Sequence, residues 1–351
     1  MTVTVEGVTA PAIERETVEP PSDPRWGPSW LRPAVVAAYV AAFVGSLLRF
    51  GLPADRVMVA TWMVAGVACL NVGRPWRDQW QLVKDWVLVV ALLFAYDYSR
   101  GAADGLGRPI HVTGPRDADR LLFFGADPNV WMQRHLWRPT VQWYDAVASV
   151  VYMSHFVVPI VIAMVLWVRS RPEWLRWMRR FGTLLALGVL TYVLYPAAPP
   201  WYAAQQGEID EIRRLSGRGW RAMGFDVVSN VLKRGQEIAN PFAAVPSLHA
   251  AFSFLAVAFF IRGRPRWQQA LMVLYPLSMA WTLVYAGEHY VVDILAGWAY
   301  VVVVMAVWGW WERRTSEPAP STRAPSIPAA PATTEPGAAT DASSPTAAQS
   351  S

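Results

Sequence analysis

The feature that most constrains this chain is a series of long apolar runs between residues 34 and 311, separated by basic or polar connections. A transmembrane helix needs roughly 20 mostly apolar residues, because its backbone polar groups must be paired inside the bilayer. The runs predict eight membrane-spanning helices, at Ala34–Leu52, Val57–Val72, Trp80–Tyr98, Val147–Val168, Phe181–Pro196, Pro246–Ile261, Gln269–Ala286 and His289–Trp311. The predicted fold is therefore an all-α, polytopic transmembrane helical bundle.

The composition agrees with a membrane protein. The chain is 54% hydrophobic and 16% charged, and it contains 20 Trp, a residue enriched at membrane–water interfaces. The formal charge is +5, and the Arg residues lie between apolar runs rather than in one block, so we interpret them as topology and headgroup contacts and expect no nucleic-acid partner. Cys69 is the only cysteine, which excludes a disulfide framework and a Cys-based metal site.

The two ends of the chain differ from its middle. Residues 1–29 contain five acidic residues and no early apolar run, so they are predicted to be a disordered cytoplasmic tail rather than a signal peptide. Residues 313–351 are almost wholly Pro, Ala, Ser and Thr, which cannot bury enough apolar surface to fold. Between these tails we expect accessory transmembrane helices and an outer loop over 30–144, and a membrane core over 145–312.

Short loops rich in Lys and Arg stay in the cytoplasm. Three basic clusters fall on the same side if the predicted helices are right, namely Arg169–Arg180, Arg262–Arg266 and Arg313–Arg314. That side is predicted to be cytoplasmic. The opposite, extracytoplasmic face then carries two long loops, about 99–146 and 197–245, and the short turn at Gly287.

Two histidines mark the extracytoplasmic face. His249 and His289 lie near the predicted N-terminal ends of two helices that begin on this face, so they are expected at similar depth. Unpaired backbone N–H groups and the positive end of the helix dipole at such a terminus favour a phosphate. The pair therefore predicts a phosphate site at one membrane surface.

Asp293 follows His289 by four residues, which places both on one face of a helix. A carboxylate inside an apolar run is costly and usually faces a partner or a polar cavity. Bonded to one imidazole nitrogen, it would fix the tautomer and leave the other nitrogen free as a nucleophile or base. A structural pair at the end of a helix is the alternative that these residues alone leave open.

A longer pattern carries a family resemblance. Asn240-Pro-Phe-Ala-Ala-Val-Pro-Ser-Leu-His249 is followed, after a predicted helical hairpin, by Gly287-Glu-His289-Tyr-Val-Val-Asp293. These motifs resemble the type 2 phosphatidic acid phosphatase superfamily, and most closely its inositol phosphorylceramide synthase-like branch. Tyr195-Pro-Ala-Ala-Pro-Pro-Trp201 is similar to the same branch, although we interpret it as a Pro-stiffened rim. The resemblance covers roughly residues 145–305.

The resemblance implies a six-helix phosphatidic acid phosphatase-like core, whose catalytic part is expected over residues 145–312, and a role for each motif residue. His289 would attack phosphorus and form a phosphohistidine, and Asp293 would orient His289. His249 would protonate the leaving oxygen and then activate water or an acceptor hydroxyl. Ser247 and nearby backbone N–H groups would hold phosphate oxygens. General acid–base and covalent catalysis of this kind needs no metal and no cofactor.

The resemblance also implies the partners. The substrate would be a lipid-linked phosphate in contact with membrane lipids. The phosphohistidine can be discharged by water, as in a phosphatase, or by inositol or another alcohol, as in a phosphotransferase. The residues of the motifs are closer to the transferase branch and therefore favour a phosphotransferase. A plain lipid phosphate or polyprenyl diphosphate phosphatase is the alternative. We expect an integral protein of the plasma membrane with an extracytoplasmic active site.

Two positions depart from the family pattern. Trp131 stands where other members carry a Lys, and Leu283 stands where they carry an Arg. Phosphate in a low-dielectric site needs charge-assisted donors, so they must come from elsewhere. The candidates are Arg134 and Arg138 in the first outer loop and Lys233 and Arg234 before the second motif. Headgroup contact or solvated charge is the alternative for each.

Two further polar residues lie in or near the fourth predicted helix. His155 is expected either to contact the substrate pocket or to be a buried structural histidine, and Asp145 either to cap the helix or to contact the acceptor. Other function classes are a transporter or lipid scramblase, an intramembrane serine hydrolase using Ser247 and His249, and a metal site. The key groups at one surface and the lack of paired halves argue against a transporter.

Overall fold

A computed structural model describes residues 27–50, 56–77, 79–87, 90–91, 108–226, 228–230, 232–233 and 242–315. Across these ranges the protein is helical, and β structure is limited to two isolated bridges that join His111 to Ala197 and Ala197 to Ala243. The chain divides into two units, Met1–Trp310 and Trp311–Ser351. The described part of the second unit is the helical segment 311–315.

The helices with complete boundaries are of two kinds. The long ones are α1 (Leu31–Phe50), α2 (Arg56–Leu70), α5 (Trp143–Arg169), α6 (Arg171–Leu194), α9 (Leu248–Phe260), α10 (Arg266–Tyr285) and α11 (Val291–Thr315). The short ones are α3 (Gly114–Leu122), α4 (Pro128–Leu136), α7 (Pro200–Gln205) and α8 (Arg218–Ala222). Helical residues also occur over 79–87 and 90–91.

Each apolar run predicted to cross a membrane contains helical residues, and several runs extend one or two residues beyond their helix, as at 71–72, 195–196 and 289–290. The third run is helical over 80–87 and 90–91, and the rest of it, including Asp97, lies outside the described residues. Among the described helices, α5 and α11 are long and apolar enough to span a membrane. The apolar stretches of α1, α2 and α9 are shorter.

Local chemistry explains several of these boundaries. Proline occupies the first or second position of α3, α4 and α6, where its missing N–H costs nothing. At the start of α5, the backbone N–H of Gln142 donates to Asp145 Oδ2 at 2.8 Å, closing a capping box. Arg171, at the α5–α6 connection, donates two hydrogen bonds to the buried carboxylate of Asp85. Polar contacts therefore fix both ends of α5.

The apolar core draws buried side chains from α5, α6, α9 and α11 into one cluster. Trp177, Leu184, Leu255 and Val301 are each completely buried within it. At the start of α9, the backbone N–H of Ser247 donates to the carbonyl of Asp293 at 2.9 Å. A Cβ at Gly297 would come within 2.5 Å of the Ser247 carbonyl oxygen, so only glycine permits this approach. The starts of α9 and α11 are therefore held together.

The short helices α3 and α4 form a hairpin, residues 114–136, before the long helix α5. Its tip exposes apolar side chains, because Leu121 and Phe124 are 84% and 100% exposed. Phe124 and Gly125 both have positive φ, which turns the chain between the two helices. The side chains of Arg120 and Asp127 form an ion pair at 2.8 Å between the two helices. The hairpin therefore combines an apolar tip with a polar junction.

Candidate active site

The predicted histidines and aspartate lie in a line. His289 Nδ1 is 3.4 Å from Asp293 Oδ2, and His289 Nε2 is 3.4 Å from His249 Nδ1. His289 and Asp293 are 4% and 0% exposed. One nitrogen of His289 therefore faces a carboxylate and the other faces a second imidazole, which is the arrangement needed for an oriented nucleophile beside a general acid.

His289 itself is not helical, contrary to the prediction that the eighth helix starts there. It belongs to the histidine turn, residues 286–290, and α11 begins at Val291. Gly287 adopts φ +70°, which reverses the chain in this turn. Asp293 then reaches back, because its Oδ2 also accepts the Tyr290 backbone N–H at 2.9 Å. The contact between His289 and Asp293 thus comes from a helix cap rather than from a shared helical face.

His249 lies inside α9, between two rings of α5. The Tyr152 ring stacks on it with centroids 4.8 Å apart, and the His155 ring lies 4.0 Å away. His155 also packs against Phe252 of α9. These contacts leave the His249 ring little freedom to rotate. The structure brings His155 to the histidine pair, where the sequence had left its role open.

The first backbone N–H groups of α11 already have partners, contrary to the expectation from sequence that they are unpaired. The backbone N–H groups of Val291 and Val292 donate to Asp119 Oδ2 and Oδ1 at 2.9 and 2.8 Å. The preceding N–H, of Tyr290, donates to Asp293. Two carboxylates already occupy the positive end of this helix, so a phosphate must be held by other groups.

Ser247 is the N-cap of α9. It is completely buried, and its Oγ accepts the Ala250 backbone N–H at 3.3 Å. This is the usual role of a serine at a helix start. The structure therefore gives Ser247 a capping contact, and its predicted contact with phosphate remains a prediction.

Two amides of α4 hold the histidine turn. Asn129 Nδ2 donates to the carbonyls of Val284 and His289 at 2.9 and 3.0 Å. Gln133 Nε2 donates to the carbonyl of Tyr285 at 2.9 Å and to that of Arg213 at 2.7 Å. The turn is therefore tied to the hairpin by side chains as well as by the α11 cap.

Arg214 is a cation that the structure places beside the histidine turn. Its Nε and Nη2 donate to the Glu288 carboxylate at 2.8 and 3.0 Å, and its guanidinium lies 4.8 Å from the Trp201 ring centroid. It also bonds the side chain of Tyr152, the residue stacked on His249. Burial lowers the pKa of Arg214, but Glu288 and Tyr152 outweigh burial and raise it, so the charge is retained.

Two of the basic residues predicted from sequence, Arg134 and Arg138, make their contacts elsewhere. Arg134 is two-thirds exposed and pairs with Asp210, and Arg138 donates to the Trp137 carbonyl at the surface. Lys233 is exposed, and Arg234 lies outside the described residues. None of the contacts of Arg134 or Arg138 reaches the histidine pair, because both belong to an exposed edge of the hairpin region.

Asp145 is buried by contacts that fit the capping alternative. Its carboxylate accepts the Tyr285 hydroxyl at 2.6 Å and the Gln142 N–H, and Arg218 lies 3.7 Å away. The structure thus places Asp145 in the network that closes the start of α5. Its predicted contact with an acceptor has no further support from this geometry.

Sequence reasoning missed the residues that come from loops and short helices, namely Asp119, Asn129, Gln133, Arg214 and Glu288. The adjacency of Glu288 to His289 was visible in the sequence. Each of the others is at least 74 positions away in sequence from the residue it contacts in or beside the histidine turn, the smallest separation being that of the Arg214–Glu288 pair. Single-sequence patterns hold no signal for contacts at that separation.

An apolar cavity of about 400 Å³ adjoins the other side of α11. Its lining includes Trp131, Trp281, Val291, Leu295 and Trp298. Residues 291, 295 and 298 share one helical face, whereas Asp293 and Gly297 lie on the face toward α9. The cavity is therefore separate from the histidine pair. Among the described residues, no group of three or more His, Cys, Asp or Glu side chains is arranged to hold a metal ion.

Several known proteins resemble this chain. The phosphoinositol dihydroceramide synthase of Bacteroides thetaiotaomicron is 31% identical over 227 residues, which is 60% of this chain and 73% of the relative. The inositol phosphorylceramide synthase catalytic subunit of Schizosaccharomyces pombe is 29% identical over 44% of this chain, and the inositol phosphorylceramide synthase of Candida albicans is 31% identical over 41%. The aligned parts are 37% and 31% of these two fungal proteins.

The sequence profile of the PAP2 superfamily matches residues 117–307, which is more than half of the chain. No solved structure gives a significant match. The profile begins within α3, so the hairpin belongs to the matched region together with both histidines and Asp293. This chain therefore belongs to the PAP2 superfamily, as an integral membrane enzyme that transfers phosphate groups.

Proposed function

We propose that this protein moves an inositol phosphate group from a lipid donor to a lipid alcohol, through a covalent intermediate on His289. The observation that carries the proposal is the line of contacts from Asp293 to His289 to His249. Because Asp293 faces Nδ1, the lone pair of Nε2 is free to attack phosphorus. The names of the relatives, all phosphoinositol ceramide-type synthases, support the inositol phosphate group.

The reaction balances in two steps. In the first, His289 Nε2 bonds to phosphorus, the bond from phosphorus to the donor's glycerol oxygen breaks, and His249 gives that oxygen a proton. In the second, His249 takes a proton from the acceptor hydroxyl, whose oxygen bonds to phosphorus while the N–P bond breaks. Inositol then arrives with the donor, and a ceramide-like alcohol, rather than free inositol, is the acceptor.

Arg214 supplies the charge that phosphate requires in this proposal. Held by Glu288 and Trp201, its guanidinium is fixed before substrate arrives, which is the condition for strong electrostatic stabilisation of a transition state. Its link to Tyr152 places it on the His249 side of the turn. Arg214 thereby takes the place of the family's missing Lys and Arg, ahead of Arg134, Arg138, Lys233 and Arg234.

A phosphatase is the second candidate, because water can discharge the same intermediate. We test the two with purified protein in nanodiscs that contain phosphatidylinositol labelled in the inositol ring. Addition of ceramide is expected to give a labelled phosphoinositol ceramide, and this product is lost in His289→Ala. Release of labelled inositol phosphate at the same rate with and without ceramide would instead make the protein a hydrolase.

The membrane arrangement is part of the proposal. We propose eight spans, formed by the seven long helices and by the apolar run with helical residues at 79–87 and 90–91. The six-helix family core would have its catalytic part over residues 145–312, with residues 1–29 and 313–351 as tails. The basic clusters favour a plasma-membrane protein whose histidine end is extracytoplasmic. Reporter fusions in 169–180 and 197–245 test this orientation: the first should report inside and the second outside. The reverse pattern would invert the orientation and leave the chemistry intact.

A further inference from the structure

A buried carboxylate from another part of the chain closes the catalytic helix. Asp119 lies on α3 and is completely buried. Its two oxygens accept the N–H groups of Val291 and Val292 at 2.9 and 2.8 Å. The contact joins positions that are 172 and 173 residues apart, so it is a tertiary cap rather than a local one.

Burial of this carboxylate is costly. Burial is the largest cause that raises the pKa of Asp119, which reaches about 6. The two backbone N–H bonds lower this pKa, and the nearby charges of Asp293 and Asp127 raise it further. A local serine or asparagine cap would satisfy the same helix without bringing an acidic side chain from α3. Stabilisation of α11 alone therefore does not explain why an acidic side chain from α3 is buried at its start.

The hairpin also holds the turn before α11. Asn129 joins the carbonyls of Val284 and His289, so one amide spans the last turn of α10 and the proposed nucleophile itself. The N–H of Trp201 donates to the Gly287 carbonyl at 3.1 Å. The hairpin therefore holds the backbone at two places: Asn129 binds the carbonyl of His289, and Asp119 binds the N–H groups of the next helix.

We propose that Asp119, together with Asn129, is a positioning residue that fixes the histidine turn and thereby aims His289 Nε2 at His249. This inference rests on the proposed function only in taking His289 as the nucleophile. By filling the N-terminus of α11, Asp119 also directs phosphate away from that terminus and toward Arg214. Misplacement of a reacting atom by about 1 Å can cost roughly 100-fold in rate, so a remote cap of this kind affects turnover.

The test compares two buried carboxylates in the full-length protein. Asp119→Asn keeps the shape of the side chain, but one carboxylate oxygen becomes an NH₂ group. This NH₂ group then faces the backbone N–H of Val291 or Val292, and two donors cannot form a hydrogen bond. Asp85→Asn is the matched control, because Asp85 is also buried and ion-paired, with Arg171 at the other end of α5. We expect kcat per folded protein to fall by about 10- to 100-fold in Asp119→Asn, with KM within about 3-fold of the parent value.

A second readout does not depend on activity. In protein labelled with ¹⁵N-histidine, the His289 imidazole is identified by its loss in His289→Ala, and its shifts report which ring nitrogen carries the proton. Asp119→Asn is expected to change this signature, and Asp85→Asn is not. Asn129→Ala gives the same expected result if Asp119→Asn does not fold.

Unchanged His289 signals in both Asp119→Asn and Asn129→Ala would overturn the positioning role, as would a kcat loss equal to that of Asp85→Asn. A fully active His289→Ala would instead overturn the proposed function. The ¹⁵N comparison would then still decide whether the hairpin fixes the imidazole.

Discussion

The two histidines of the site stand at the starts of two helices that are built differently. His249 is the second residue of α9, whose first turn is capped by the neighbouring Ser247. His289 precedes α11, whose first N–H groups are capped by Asp119 from α3 and by Asp293. His249, the proposed acid–base residue, is therefore held by a local cap and by ring stacking. His289, the proposed nucleophile, is held through backbone caps that come from distant segments.

This difference has a consequence for how each histidine tolerates change. The side-chain cap of α9 comes from the adjacent Ser247, so a substitution of Ser247 is expected to act mainly on the helix. The α11 start depends on the hairpin, on Arg214 and on Glu288, so substitutions far from His289 reach the reaction. The predictions below test this contrast.

The largest expected effect separates the two histidines by their roles. Both His289→Ala and His249→Ala should lower turnover of phosphatidylinositol by at least about 10⁴-fold, because covalent and acid–base catalysis act together. With an aryl phosphodiester, whose leaving group needs no proton, His249→Ala should still form the phosphoenzyme and His289→Ala should not. Rapid-quench measurement of the phosphoenzyme checks this. If His289→Ala still forms a phosphoenzyme, His289 is not the nucleophile, and the roles assigned to the two histidines are wrong.

Arg214 joins Glu288 of the histidine turn to Tyr152, the residue stacked on His249, and its loss should rank next. Arg214→Gln removes a fixed charged donor and should lower kcat/KM by about 100- to 1,000-fold, with a smaller loss in Arg214→Lys. Arg176→Gln is the control, because Arg176 is an exposed residue paired with Glu173. Steady-state kinetics on the inositol lipid give the comparison. Equal activities in Arg214→Gln and Arg176→Gln would remove Arg214 from the phosphate site.

The α11 cap should give a characteristic pH dependence of stability. The pKa of Asp119 is raised from 3.8 to about 6 in the folded protein, so the folded state holds this proton more tightly than the unfolded state. As the pH falls through 6 toward 4, Asp119 takes up a proton in the folded protein, and this uptake stabilises the folded state. Above pH 6 the carboxylate is ionised, and the full free-energy cost of burying its charge is present. Relative to Asp119→Asn, the melting temperature of the parent protein should rise as the pH falls from 7 to 5.

Thermal unfolding of both proteins across this pH range measures the effect, because other titrating groups cancel in the difference. A difference that stays constant with pH would mean that the folded protein does not perturb Asp119. If the melting temperature of the parent protein instead falls relative to Asp119→Asn as the pH falls, the pKa of Asp119 is lowered rather than raised by folding.

The smallest expected effect lies at the α9 start. Ser247→Ala removes an N-cap and should cost about 1 kcal/mol of stability, seen as a melting temperature lower by a few degrees. Ser247→Asn or Ser247→Thr should restore most of the loss, because either side chain caps a helix. A large rise in KM at an unchanged melting temperature would instead support the phosphate contact predicted from the sequence.

The two starts also show what the sequence alone reveals. Helix positions follow from apolar runs, and the starts of α9 and α11 fall within two residues of the predicted ones at Pro246 and His289. His249, His289 and Asp293 were identified through motif spacing. The local cap of α9 was equally accessible, because Ser247 stands immediately before the helix.

The rest was inaccessible for a physical reason. Asp119 and Arg214 reach the histidine turn through tertiary packing, and no periodicity or spacing marks such contacts. The expectation that the first N–H groups of α11 are unpaired was wrong, because it did not include a carboxylate from α3. A charge supplied by another segment decides whether a helix terminus is open to a ligand.

The most direct test of the central claim is mass spectrometry of the protein after incubation with phosphatidylinositol and no acceptor alcohol, digested under alkaline conditions that preserve phosphohistidine. The account predicts an inositol phosphate adduct on His289 that disappears when ceramide is added. An adduct on another residue, or full transfer to ceramide with His289 unmodified at every time point, would contradict it.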